Sequence, residues 1–444
     1  MIVRDVAELI GNTPLFCVPP SVHGLTNVEL YIKLESHNPF GSVKDRVAQR
    51  LLEGHLDGLA AVGGSVIEAS SGNTAKALQL LASRVGVGVE VVSNRTRVPE
   101  MRQLLQLAGA SLVQLPGLSE CPDPTVPNDA LSYIQDRCDR ESGRLYSPSQ
   151  YTNVDNIAVH RETTGEEIAA DLDRVDVVIG GLGTSGSTQG IAQRLRLDNP
   201  DLKVIGVVAD PSDFIPGIRS ADEMWEVGLF DRSAYDEIVT VTSSEAVDAT
   251  LTLLRRCGLM LGPTSGAAYS AALTVLQKRV DARRDEPVRA VFIGCDRLEP
   301  YLSYMAKRLP DVLYGHGRDA DEDVIDLRQD WVSMDVEVAS DRVVERSLLV
   351  VDIRSEYAYG IEHIPGSINL REDILVEMLG AGTPFSTLHE LLLVCPAGEI
   401  SVPLAQELSG RGVHAWSLKG GLNAWRDAGF ALEVPAVVNV NQSI

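Results

Sequence analysis

The chain has 444 residues, more than one hydrophobic core ordinarily supports, so two or three domains are expected. Thirty-nine Lys and Arg against 62 Asp and Glu give a formal charge of -23, which works against nucleic acid or an anionic membrane surface as a partner. With 44% hydrophobic and 23% charged residues, the composition is that of a globular protein and not of a disordered one.

The opening segment, MIVRDVAELIGNTPL, lacks the extended apolar stretch of a secretory signal, and no run of membrane-spanning length follows. Cytoplasm is therefore the expected location. From residue 1 to 312, short β-branched runs alternate with longer amphipathic segments. The runs are SVIEAS (65–70), VEVVSN (89–94), VDVVIGG (175–181), LKVIGVVA (202–209) and VRAVFIG (288–294), each bounded by Gly, Asn, Asp or Ser. This alternation predicts an α/β fold with helices covering both faces of parallel sheets. Residues 120–130, ECPDPTVPNDA, read as a surface loop. Residues 313–343 are acidic and weakly patterned, and read as connection and domain edge. The alternation restarts over 344–438 with LLVVDIR (348–354), LLLVCPA (391–397) and HAWSLKG (414–420), enough for a second, smaller α/β domain. Six cysteines, at 17, 121, 138, 257, 295 and 395, form no close C-x-x-C pair. That spacing fits a reducing compartment and gives no reason to expect a disulfide scaffold or a metal site.

Four glycine-containing turns carry the chemistry of the first 312 residues. In NPFGSVKDR (38–46), Lys44 follows a Gly-Ser turn; a lysine amine can link covalently to a carbonyl, although a lysine at a helix start is most often a surface residue. In ASSGNTAKA (69–77), a strand passes into a helix with Ser71, Asn73 and Thr74 offering donors to an anion, as an ordinary cap would too. In GGLGTSGS (180–187), glycines permit close backbone approach and successive N–H groups suit a phosphate. The form is not the G-x-x-x-x-G-K-[ST] of a nucleotide loop. In GPTSGAA (262–268), a serine hydroxyl can meet a ring nitrogen.

Taken in order, IGNTPL (10–15), KLESHNPFGSVKDR (33–46), SSGNTA (70–75), SQYTNVDNIAVHRETTGEEI (149–168), GTSGS (183–187) and GPTSGAA resemble the fold-type II pyridoxal-phosphate family of cysteine synthase and cystathionine β-synthase. The resemblance implies two open α/β subdomains, a pyridoxal 5'-phosphate cofactor and a homodimer. It implies Lys44 as the Schiff-base lysine and proton shuttle, and Asn73 as the hydrogen-bond partner of the cofactor's ring oxygen. Ser70, Ser71 and Thr74 fall in the loop that receives the amino-acid carboxylate, and Gln150 is a second substrate contact. Gly183, Thr184, Ser185, Gly186 and Ser187 are the implied phosphate cup, and Ser265 faces the pyridine nitrogen. A hydroxyl there holds that nitrogen protonated less firmly than a carboxylate would, an arrangement the family uses for β-elimination and β-replacement. The chain departs from the pattern at Cys257-Gly258, where many cysteine synthases have Glu-Gly, at Pro263 and Thr264, and at Ser187 in place of threonine. These departures leave the β-leaving group open among O-acetylserine, O-phosphoserine, serine and other β-substituted amino acids. At Cys257, a buried structural thiol is the expectation.

Further on, Cys395 follows an apolar strand and precedes a helix, where backbone donors can stabilise a thiolate. DIRSEYAYGIEHIPGSINL (352–370), the Cys395 loop and LKGGLNAWRDAGF (418–430) together resemble a single rhodanese domain. That resemblance implies Cys395 as persulfide carrier, with Asp352 and Arg354 supporting the fold near its loop. Ile400 stands where many rhodaneses place a basic residue, which disfavours thiosulfate and favours a protein persulfide or another donor. The expected function is β-replacement on an activated serine by sulfide or persulfide-derived sulfur, giving cysteine or a related β-substituted alanine. The small-molecule amino acid and a sulfur donor, a sulfur-carrier protein among the candidates, are the expected partners. The alternatives are β-elimination by a cysteine or cystathionine lyase that passes sulfur to Cys395, and a sulfur-relay or regulatory protein without cofactor catalysis.

Overall fold

The computed structural model describes residues 2–70, 72–93, 98–115, 130–211, 213–279, 286–309, 312, 332–382, 385–386 and 389–434. Ser71, residues 120–129 of the expected surface loop and residues 313–331 of the expected connection lie outside them. The chain divides into two compact units, the first made of residues 1–115, 121–210 and 214–310 and the second mainly of residues 311–444.

In the first unit, β1 (Leu15–Cys17) and β2 (Val28–Leu34) come first, then β3 (Ser65–Ala69), β4 (Gly88–Ser93), β5 (Ser111–Gln114) and β6 (Leu145–Tyr146). They are followed by β7 (Val177–Gly181), β8 (Lys203–Ala209), β9 (Glu237–Val241) and β10 (Val288–Gly294). The larger sheet runs β1-β2-β10-β7-β8-β9, with only β1 antiparallel to its neighbour. The smaller sheet, β5-β4-β3-β6, is wholly parallel. Runs such as KVIGVVA form interior strands because helices cover both faces, and all but the first residue of β8 is buried. The helix Lys44–Leu52 turns Val47, Ala48, Leu51 and Leu52 inward at helical spacing. Thr242 and Glu245 make a reciprocal cap at the start of the helix Ser243–Cys257, and Gly258 ends it with φ +71°. Cys257 therefore sits in the last helical turn, half-buried rather than buried as expected, and packs against the core of the larger sheet.

A buried charge network joins the N-terminal segment to the helices Lys44–Leu52 and Gly165–Asp171. Lys33, fully buried, donates to Thr13 O (2.7 Å) and pairs with Glu167 (2.8 Å). Arg46 forks to Glu35 (2.8 and 2.9 Å) and to Glu167 (2.6 and 2.7 Å). Burial opposes the ionisation of Glu167, but hydrogen bonds and positive charge from Arg46 and Lys33 outweigh it and hold its carboxyl at about 2. Removing one partner of such a network leaves an uncompensated interior charge. Arg46→Met is expected to destabilise the first unit by ~3–5 kcal/mol, measured as a fall in its urea midpoint. A shift below ~1 kcal/mol would mean Glu35 finds water or a proton without cost.

In the second unit, β11 (Ser333–Met334), β12 (Leu349–Asp352), β13 (Ile368–Asn369), β14 (Leu391–Val394) and β15 (Ala415–Leu418) form a parallel sheet in the order β11-β15-β14-β12-β13. Residues 332–343 of the expected connection and domain edge supply its outer strand and all but the last residue of the helix Val336–Val344, with Val332, Met334 and Ala339 buried. The architecture is thus two open α/β subdomains followed by a small α/β domain. Among the described residues, no helix is long and apolar enough to cross a membrane.

Candidate active site

Parallel strands deliver their C-terminal ends, and the loops that leave them, to one edge of a sheet, where α/β proteins bind ligands. The loop after β10 is the meeting point in the first unit. Val43 N donates to Cys295 O (2.8 Å), which anchors the turn before Lys44. Asp45 accepts from Phe40 N (2.7 Å) and Ser42 Oγ (3.0 Å), closing that turn so that Lys44 begins the helix. Cys295 N donates to Ser265 Oγ (3.0 Å), leaving the fully buried Ser265 hydroxyl its proton to donate elsewhere. Asn73, first residue of the helix Asn73–Ala82, donates through Nδ2 to Asp296 Oδ2 (2.7 Å) and Tyr301 Oη (3.1 Å). Lys44, Asn73 and Ser265 thus converge on the Cys295-Asp296 step.

A second chain of contacts links the remaining predicted residues. Thr74 Oγ1 donates to Gln150 Oε1 (2.6 Å), and Gln150 Nε2 to Ala69 O (3.1 Å). Asn156 Nδ2 bridges Gln150 O (2.8 Å) and Thr184 Oγ1 (3.0 Å). Ser185 (φ +60°) directly precedes the ten-residue helix Gly186–Leu195 without a side-chain capping bond, and Thr184, Ser185 and Ser187 are buried. Glycine is required at 183 and 186, since a Cβ there would lie 2.7 Å from Gly217 O and 2.3 Å from Asn156 Oδ1. Thr264 Oγ1 donates to Pro216 O (2.5 Å), so the departure at 264 fastens the last glycine turn to the loop beside Gly217. The Ser70 hydroxyl accepts from Gly72 N (3.4 Å) and Ala75 N (3.3 Å), serving its own turn as a cap.

Electrostatics distinguish these groups. Burial disfavours the ammonium form of Lys44 and lowers its pKa, with Cys295 and Asp296 partly offsetting the effect. His160, wholly buried and hydrogen-bonded through Nδ1 to Thr164 (2.9 Å), is held neutral by burial and by the nearby cations Lys44 and Arg46. Burial raises Glu68 to about 8 against the hydrogen bonds it accepts from the backbone of Ser149, Gln150 and Ala69. Sequence reading passed over Glu68, His160, Cys295, Asp296 and Tyr301. The available signal was positional: CDRLEPY directly follows the strand VRAVFIG, where a parallel sheet presents its ligand edge.

In the second unit, Cys395 follows β14 and is 1% exposed. Gly398 N donates to its Sγ (3.1 Å), and Ser401 Oγ lies 3.2 Å from Sγ and 2.7 Å from Ser417 Oγ. Leu422 N donates to Cys395 O (2.9 Å), and a Cβ at Gly421 would sit 2.3 Å from that oxygen. Asp352 and Arg354 form a buried forked pair (2.6–3.0 Å), and Arg354 Nη2 also donates to Glu362 O (2.7 Å).

Comparison with known proteins agrees with both halves. The family described as pyridoxal-phosphate dependent enzyme matches residues 6–296, and the rhodanese-like domain matches residues 335–428. A cysteine synthase of Aquifex aeolicus is 31% identical over 308 residues, 68% of this chain and 91% of the relative. Cysteine synthase B of Salmonella typhimurium is 32% identical over 307 residues, 68% of this chain and 95% of the relative. The crystal structure of an O-acetylserine dependent cystathionine β-synthase from Helicobacter pylori is 28% identical, with a TM-score of 0.58, covering 68% of this chain and 98% of that one. The chain belongs to the fold-type II pyridoxal-phosphate family of cysteine synthase and cystathionine β-synthase, fused to a C-terminal rhodanese-like domain.

Proposed function

We propose that the first unit catalyses pyridoxal-phosphate-dependent β-replacement on an activated serine, with sulfide or a persulfide-derived sulfur as nucleophile, to give cysteine or a related β-substituted alanine. The observation that carries this reading is the convergence of Lys44, Asn73 and Ser265 on the Cys295-Asp296 step. The residues fit the cofactor: Asn73 Oδ1 is buried without a partner, Ser265 retains a free hydroxyl proton, and close packing at Gly183 and Gly186 sets a turn of backbone N–H groups at a helix start. Bound pyridoxal phosphate supplies an aldehyde that links to amines and a ring that accepts the electrons of a breaking Cα–H bond.

Each residue then has a task. The turn from Gly183 to Ser187 holds the phosphate, and Asn73 meets the ring oxygen. Ser265 meets the ring nitrogen as a hydroxyl, which limits proton donation there. Ser70, Ser71, Thr74 and Gln150 receive the substrate carboxylate, which fixes the Cα–H bond toward Lys44. Lys44, its ammonium form disfavoured by burial, takes the Cα proton and returns it after the nucleophile has added at Cβ. The second unit supplies or processes sulfur through Cys395.

Purified protein with pyridoxal phosphate, O-acetylserine and sulfide is expected to form cysteine with one amino acid retained per substrate consumed, read by product mass. O-phosphoserine tested in parallel separates the two leaving groups. Pyruvate and ammonia as the sole products would replace this reading with β-elimination.

A further inference from the structure

Asn156 is fully buried, and its amide stands between two parts of the proposed site. Its Nδ2 donates to Gln150 O (2.8 Å) on the substrate side and to Thr184 Oγ1 (3.0 Å) in the turn before the helix Gly186–Leu195. Both amide protons are thereby used. Its Oδ1 is buried without a partner and lies against Gly186, where a Cβ would come within 2.3 Å of it. The partners fix which way the amide faces. A backbone carbonyl only accepts, so the nitrogen has to meet Gln150 O; turning the group over would set oxygen against oxygen.

The backbone around Asn156 is itself held in place. Asn153 Oδ1 accepts from Asp155 N (3.0 Å) and Asn153 Nδ2 donates to Pro148 O (3.2 Å), which sets the start of the helix Asp155–Val159. That helix is pressed onto Gly186–Leu195, since a Cβ at Gly190 would lie 2.3 Å from Ile157 O. Close packing alone would be served by leucine, which has a similar branched outline and strands no oxygen. The use of an amide with an unsatisfied half lies in what its nitrogen holds.

That use falls on Thr184. A hydroxyl that accepts from an amide N–H turns its own proton away from that donor. Thr184 is 4% exposed, and among the described residues no acceptor takes its proton. We propose that Asn156 is a positioning residue for the cofactor's phosphate. By donating to Thr184 Oγ1 it presets the hydroxyl as a donor, and a donor held ready for an anion makes one of the stronger hydrogen bonds. Its second proton ties the same turn to the backbone of Gln150. Without the amide, the Thr184 hydroxyl is free to rotate and loses that preset direction.

The role rests on pyridoxal phosphate binding at the turn from Gly183 to Ser187, and two ligands keep the claims apart. Apoprotein is titrated with pyridoxal phosphate and, separately, with pyridoxal, which carries the same aldehyde and ring without the phosphate. Absorbance of the bound ligand is followed for wild type, Asn156→Leu, Thr184→Val and the double variant, with folding checked by circular dichroism. Asn156→Leu is expected to weaken pyridoxal phosphate binding about tenfold and pyridoxal binding less than about twofold. In the Thr184→Val background the same change is expected to cost less than about threefold, because the hydroxyl it acts through is gone. Should Asn156→Leu fail to fold, Asn156→Ala takes its place. Equal losses for the two ligands would make Asn156 a packing residue only and overturn the proposal. Unchanged phosphate-ligand affinity, or an undiminished loss in the valine background, would overturn it too. Failure of the wild type to bind pyridoxal phosphate would remove the proposed function, and this role with it.

Discussion

Lys44→Ala is expected to lower turnover of an activated serine by ~10^3-fold or more while leaving the fold intact. The fold survives because the helix Lys44–Leu52 is held by other residues. Arg46 enters the buried charge network, Asp45 closes the preceding turn, and Val47, Ala48, Leu51 and Leu52 face the interior. Alanine also favours the helix more than lysine does. What disappears is an amine placed beside Asp296 and Cys295 with its charged form disfavoured. Neighbouring His160 does not replace it, since its ring is buried and bonded to Thr164. The measurement is steady-state turnover, paired with borohydride reduction of the cofactor-loaded protein and peptide mass analysis. Wild type should carry the adduct at residue 44 and the variant none. Turnover within tenfold of wild type would show that another group moves the proton.

Much of this site was legible in the sequence because its parts are local. A Gly-Ser turn before Lys44, a strand passing into SSGNTA and glycines at 183 and 186 are short-range patterns, and the resemblance ordered them along the chain. The supporting groups are not local. Asn73 and Asp296 are separated by 223 residues, and Lys33, Arg46 and Glu167 are brought together only by folding. Nothing in the string TAKALQLL says that its lysine is buried. Ser70 illustrates the converse case: a residue chosen for a ligand also caps its own turn, because a serine hydroxyl at a helix start has backbone donors nearby. The short strand β11 escaped notice because two residues make no visible alternation.

The second unit supports the prediction that bears on why two chemistries share one chain. Cys395→Ser is expected to leave cysteine formation from added free sulfide unchanged and to reduce it at least ~10-fold when a persulfide is the donor. Serine preserves the local structure, since a hydroxyl can still accept from Gly398 N and meet Ser401. It cannot carry sulfur: on the proposed reading the thiolate takes the outer sulfur of a persulfide and releases a thiol, a second thiol attacks the Cys395 sulfur and expels the outer one as sulfide, and a third resolves the resulting mixed disulfide, so that two thiols leave as a disulfide and the Cys395 thiol is restored. The loop from Pro396 to Ile400 has no cationic side chain and includes Glu399, so a doubly charged anion such as thiosulfate finds no electrostatic partner there. A neutral or protein-borne persulfide does not need one. On the proposed reading, covalent linkage raises the local concentration of released sulfur for the first unit. The assay compares free sulfide, thiosulfate and a small-molecule persulfide with thiol present, for wild type and variant. Equal rates with every donor would separate the two chemistries and leave Cys395 without a part in making the product.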